Sequence, residues 1–222
     1  KVTNCRNNGA ISGTYRVGGV IGALGTNVAT AADMSNVSNY GSVTGSDYND
    51  GLAYNLQNAE SIGGVVGSVR DRINVNGPIV NYGNVFLNGT GQYAGGIMGY
   101  TEFGFLMGEN GSVRNEGQIC GYDSTGGLIG YASRYNEQCI YVPDGSVNAN
   151  TVTGSQYVGG LVGRIQVASD LTIKGDFENT GDITGTGSVG GIFGYLSSSY
   201  QDSNKQWAGS VMIQGNLTNS GN

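Results

Sequence analysis

Apolar residues along this chain fall in short runs broken by Gly, Asn, Asp and Ser, and no stretch of 11 residues sustains the i, i+3, i+4, i+7 spacing of an amphipathic helix. Between positions 157 and 183 the runs are Tyr157-Val158, residues 161–167, residues 171–174, Phe177 and Ile183. Short β-branched or apolar runs bounded by turn residues predict strands, and an all-β fold follows.

The runs recur with a period. A Gly-Gly-x-x-Gly element begins at Gly18, Gly63, Gly95, Gly126, Gly159 and Gly190, at successive spacings of 45, 32, 31, 33 and 31 residues, and both variable positions are apolar in all six copies. A second element, Asn-x-Gly-x-(Ile/Val), precedes each copy and starts at Asn7, Asn39, Asn81, Asn115, Asn148 and Asn179; a seventh begins at Asn219. In the fifth copy Asn150 replaces the glycine. Asn is the residue that best tolerates positive φ after Gly, so this position is expected to be a left-handed turn. Two insertions interrupt the period, near 46–60 and 197–207, as loops decorating a solenoid do.

A unit of about 32 residues is too short to bury a core alone, so it must stack on its neighbours. The sequence therefore predicts one repeat domain over 1–222, a parallel β-helix (β-solenoid) of six to seven coils. Coils about 4.8 Å apart would make six of them a rod of roughly 30 Å. A β-propeller-like arrangement is the alternative, although its blades usually need 40 residues or more.

Composition narrows the chemistry. The 42 glycines show no Gly-X-Y period, and 38% apolar residues with 14 Tyr exclude a disordered linker. There is no His, which removes Ser-His-Asp, Cys-His and His-zinc chemistry. A net charge of −6 argues against a nucleic-acid or anionic-membrane surface. No run approaches the 18 apolar residues of a transmembrane helix, and residues 1–4 do not open a signal peptide, as expected of an excised segment or a processed chain.

The two elements together resemble the GLUG-motif repeats of large secreted or surface-anchored bacterial proteins. Leu128-Ile129-Gly130 and Leu161-Val162-Gly163 match that signature directly, and the other copies carry Val or Ile for Leu. The resemblance covers almost the whole chain apart from the insertions. It implies a β-helical array of bacterial adhesin-like proteins or of the non-catalytic parts of immunoglobulin A-cleaving metallopeptidases, located outside the cell or on its surface.

Candidate sites follow from the periodic positions. The glycine elements lack the strand-to-helix context and the Gly-Lys-Ser/Thr of a phosphate loop, so they are expected to serve tight turns and close coil packing. The seven asparagines are expected to bond one another in a ladder, a glycan-binding strip being the alternative. Val20, Val65, Ile97, Leu128, Leu161 and Ile192 should stack as core. The position after each glycine element holds Ala23, Ser68, Tyr100, Tyr131, Arg164 and Tyr195. Three tyrosines and an arginine on neighbouring coils would form an aromatic strip for sugars or a protein partner, or else a structural stack, unless a bulge at the glycine resets the alternation.

Asp176, Glu178 and Asp182, with Lys174 near, raise the possibility of a polysaccharide lyase or hydrolase, against a plain reading as solvated carboxylates. Cys5, Cys120 and Cys139 lack metal-ligand spacing and are expected to be free, buried thiols, a Cys120–Cys139 bond being the alternative. No metal or cofactor is expected. The leading expectation is a non-catalytic extracellular adhesion or spacer module, part of a longer protein, that presents loops to a host surface protein or glycan. A β-helical enzyme acting on acidic polysaccharide and the non-catalytic stalk of a surface peptidase are the alternatives.

Overall fold

A computed structural model describes residues 1–25, 31–46, 60–70, 72–101, 106–107, 111–134, 139–168, 170–201 and 207–222. The chain winds as a parallel β-solenoid, one repeat to a coil. The coil that begins at 171 shows the pattern in full: strands Leu171–Lys174, Phe177–Asn179, Ile183–Thr184, Ser188–Gly190 and Phe193–Ser198. These five strands define five faces; the first two pair in parallel with their equivalents in the coils on either side, and the other three, which end their sheets, pair in parallel with those of the preceding coil.

Faces three, four and five are each six-stranded. In the second coil the strand Ala32–Asn39 runs through faces one and two without a break, pairing Ile73–Val75 with its first half and Ile79–Asn81 with its second. The antiparallel pairing among the described residues is a hairpin in the second insertion, Tyr200–Gln201 with Trp207–Ala208. A propeller would need four-stranded antiparallel blades, so the parallel coil-to-coil ladders replace that alternative. The first insertion lies outside the described residues from 47 to 59.

Residues repeated in sequence are neighbours in space. Gly18, Gly63, Gly95, Gly126, Gly159 and Gly190 pair in one unbroken register. Two apolar cores run along the axis. The larger holds Val65, Ile97, Leu128 and Leu161 from the glycine elements, with Met98, Ile129, Val162, Phe177 and Ile173. The smaller lies between faces three and four and holds Val43, Val85, Ile119 and Val152 against Ile62, Ala94 and Val158. Val20 and Ile192, in the outer copies, are only partly buried. Burying each such aliphatic side chain contributes about 1.5–3 kcal/mol, which is how units too small to fold alone hold together.

Crowding explains the glycines. A Cβ on Gly63 would lie 1.9 Å from the Val66 carbonyl oxygen, across the reversal between faces four and five. One on Gly96 would lie 2.1 Å from Gly127 O in the next coil, and one on Gly99 would lie 2.5 Å from Ile62 N in the previous coil. None of the 18 motif glycines is among the residues with positive φ.

The same finding corrects the expectation for the Asn-x-Gly turn. Neither Asn150 nor its glycine equivalents adopt left-handed backbone; among the described residues the positive-φ residues outside glycine are Asn4 and Asn36. Glycine is favoured there because a Cβ on Gly41 would meet Gly9 O at 1.9 Å, and one on Gly83 would meet Gly41 O at the same distance. Asn150 fits by donating its side-chain amide to Glu116 O of the preceding coil at 2.8 Å.

Candidate functional site

The seven asparagines end the strands of face two, and six of them, from Asn39 to Asn219, lie against the second glycine of a pair. In the first six, Nδ2 donates to the Oδ1 of the next asparagine: Asn7 to Asn39 at 2.8 Å, Asn39 to Asn81 at 2.9 Å, Asn81 to Asn115 at 2.8 Å, Asn115 to Asn148 at 2.8 Å, and Asn148 to Asn179 and Asn179 to Asn219 at 2.6 Å each. The second amide hydrogen goes to the carbonyl two residues on, for example Gly41 or Gly117. Asn39, Asn81, Asn115, Asn148 and Asn179 are fully buried. With both hydrogens committed and no exposed surface, these five amides have nothing left for a glycan.

The position after each glycine element also stacks in register, from Ala23 through Ser68, Tyr100, Tyr131 and Arg164 to Tyr195. Ile129 and Ala132, three residues apart, both face the larger core, so the strand alternation shifts phase at the third glycine and turns Tyr131 away from that core. The neighbouring column on face four runs Arg16, Ser61, Tyr93, Ser124, Tyr157, Ser188. Its alternation of large and small residues lets the tyrosines of the two faces interleave. Tyr93 packs on Tyr100 at 5.6 Å between ring centroids and on Tyr131 at 4.8 Å.

This packing divides the expected strip. Tyr100 is 3% exposed and its hydroxyl shares a 2.8 Å hydrogen bond with Ser133 Oγ. Tyr131 and Arg164 are half-buried, and Tyr195 is 37% exposed. Tyr100 is thus a packing residue, and only the part from Tyr131 to Tyr195 meets solvent. Arg164 lies over three rings, 5.1 Å from the Tyr131 centroid, 5.0 Å from Tyr157 and 5.7 Å from Tyr195. Its Nη2 donates to Gln166 Oε1 at 2.5 Å, whereas Nε is buried without a partner. Asp123 Oδ1 and Ser124 Oγ are likewise buried and unpartnered. Desolvation pushes the Asp123 carboxyl above its ordinary range, with the Arg164 charge pulling against it. Burial, with the charges of Tyr131 and Asp123, drives the Tyr93 hydroxyl well up.

The acidic residues do not converge on a common point. Asp176 Oδ1 accepts from Asn216 N at 2.7 Å, and Asp182 Oδ1 from Asn222 N at 3.0 Å. Asp144 and Asp170 accept in the same way from Asp176 N and Ser210 N. These carboxylates satisfy backbone donors where the following coil turns. Glu178 is exposed on face two, and Lys174 Nζ reaches the Tyr141 hydroxyl at 3.4 Å. No cluster of three potential metal ligands occurs among the described residues.

Cys120 is free and exposed, and Cys5 is free and half-buried. The expectation of buried thiols fails at Cys120 because it occupies the outward column of face three, with Ser12, Thr44, Phe86, Thr153 and Thr184. The side chain of Cys139 lies outside the described residues.

One aromatic feature escaped the sequence reading. Tyr40 and Tyr82, the middle residues of two Asn-x-Gly turns, stack at 4.4 Å and 17°, 43% and 45% exposed, with the Arg6 guanidinium 4.2 Å from the Tyr40 centroid. Burial and the neighbouring Tyr40 raise the Tyr82 hydroxyl above its ordinary value. Tyr at the same repeat position in consecutive copies was the available signal. The chain matches no family model, no curated protein and no solved structure. Among the described residues no helix is long and apolar enough to cross a membrane.

Proposed function

We propose that this protein is a non-catalytic extracellular adhesion or spacer module, a stiff rod that carries side-chain columns and loops to a host surface protein or glycan. The observation that supports this reading most is the continuous register: one amide ladder, buried at its five inner asparagines, spans all seven coils, and the same register lines up Tyr131, Arg164 and Tyr195 along one outer seam. Stiffness and a repeated lateral surface suit presentation. The resemblance to GLUG-motif repeats, carried by the sequence elements alone, points the same way and supports a bacterial surface location.

The test is binding of the purified protein to host cells, to matrix proteins and to an array of neutral and acidic glycans. Binding that falls when Tyr131 and Tyr195 are both replaced by Ala supports presentation through the seam. Binding to none of these surfaces sinks the reading. Incubation with uronic-acid polymers, followed at the absorbance of unsaturated products, separates it from a lyase; no new product is expected.

A further inference from the structure

Most polar groups of the solenoid are spoken for. The ladder amides use both hydrogens, and the turn carboxylates accept from the next coil. Arg164 differs. No carboxylate lies within ion-pairing distance of its guanidinium among the described residues, and its one hydrogen bond there, to Gln166, is made by Nη2. The Tyr131, Tyr157 and Tyr195 rings hold it by cation–π contact, which orients the group without supplying an ion-pair partner. Asp123 is near enough to feel the Arg164 charge but forms no ion pair with it, and one of its oxygens, like the hydroxyl of the fully buried Ser124, is unpartnered. Beside it Tyr195 is the most exposed aromatic of the seam.

A guanidinium without an ion-pair partner, held in a fixed orientation, recognises a carboxylate. An exposed tyrosine ring next to it offers an apolar face to a pyranose. A sugar acid carries both features on one rigid ring, with its C–H face beside its carboxylate. Resting on the presentation reading above, we infer that Arg164 and Tyr195, supported by Tyr131 and Tyr157, form a binding subsite for an acidic sugar residue. The carboxylate pairs with the guanidinium and the sugar face packs on Tyr195. An acidic peptide offers the charge on a flexible stem with no ring to stack, so the exposed Tyr195 favours the sugar. The rest of the chain is acidic, with a net charge of −6, which confines an anionic ligand to the few places where a cation is unpaired.

The experiment is titration calorimetry of the whole protein with a galacturonate hexamer, its carboxyl-reduced homologue and a short poly-glutamate, with the glycan and matrix array run in parallel. The hexamer is expected to bind, and the reduced homologue at least about tenfold more weakly. Arg164→Gln should weaken the hexamer by about tenfold or more, Tyr195→Ala by several-fold, and Arg164→Lys by less than Arg164→Gln because it keeps the charge and loses the fork. Circular dichroism checks each fold. If Arg164→Gln is unfolded, Arg164→Lys and Tyr195→Ala decide, and unchanged affinity in both overturns the subsite. Equal binding of the reduced homologue or of poly-glutamate overturns the acidic-sugar assignment while leaving presentation intact. No binding to the hexamer or to any array surface overturns both.

Discussion

The asparagine ladder and the tyrosine–arginine seam come from the same stacking rule and end in opposite states. In the ladder one residue type repeats in every coil, so each amide finds an identical partner at 2.6–2.9 Å and no group is left over. In the seam the residue type changes from coil to coil, from Ser68 through Tyr100 and Tyr131 to Arg164 and Tyr195, and the fit leaves Arg164 Nε, Asp123 Oδ1 and Ser124 Oγ unpaired. Register alone brings side chains together. Uniform chemistry along the register is what satisfies them, and departure from uniformity leaves a surface with capacity for something else.

The largest test of this contrast is at mid-ladder. Asn115→Ala strands the Asn81 amide hydrogen, Asn148 Oδ1 and Gly117 O, all buried, and is expected to cost at least about 3 kcal/mol at roughly 1–3 kcal/mol for each lost partner. Urea unfolding measures it, and a loss under 1 kcal/mol would mean water replaces the ladder bonds. Tyr93→Ala, in the buried part of the seam, should cost about 3–5 kcal/mol, while Tyr195→Ala at its exposed end should stay below about 1 kcal/mol. Equal losses would erase the division between packing and solvent-facing halves.

Asn150→Gly, which restores the common residue, removes the hydrogen bond to Glu116 O and should destabilise by about 1 kcal/mol. A stabilisation would mean that relief of crowding against the preceding coil outweighs that hydrogen bond. The smallest effect is electrostatic. Burial raises the Asp123 carboxyl above 3.8, so the fold favours its protonated form. That contribution is present below 3.8 and lost as pH rises through the raised value. Asp123→Asn should therefore raise the melting temperature slightly at pH 7 and leave it unchanged near pH 3. A lower melting temperature at pH 7 would show that attraction to Arg164 outweighs desolvation.

The period, the coil and the identity of the stacked positions were legible because a parallel solenoid turns sequence periodicity directly into contact. Gly63, Asn81 and Leu128 could be assigned from spacing alone. Burial across the seam was not legible, since it depends on how Tyr93 on one face interleaves with Tyr100 and Tyr131 on another. The backbone at Asn150 was misread for a related reason: approach of Gly41 to the coil before it is a tertiary fact, and tolerance of positive φ gives the same residue preference. Asp176 and Asp182 looked like a cluster because they are close in sequence, yet the coil sends each to a different turn.

The ladder also bears on how such a protein changes length over generations. Successive asparagines are separated by as few as 31 and as many as 42 residues, yet each step is the same amide contact. A coil can therefore be duplicated, deleted or enlarged by a loop without retuning its neighbours, provided one asparagine returns per turn. Selection can lengthen the rod by whole units and leave the outer seam free to diverge, coil by coil.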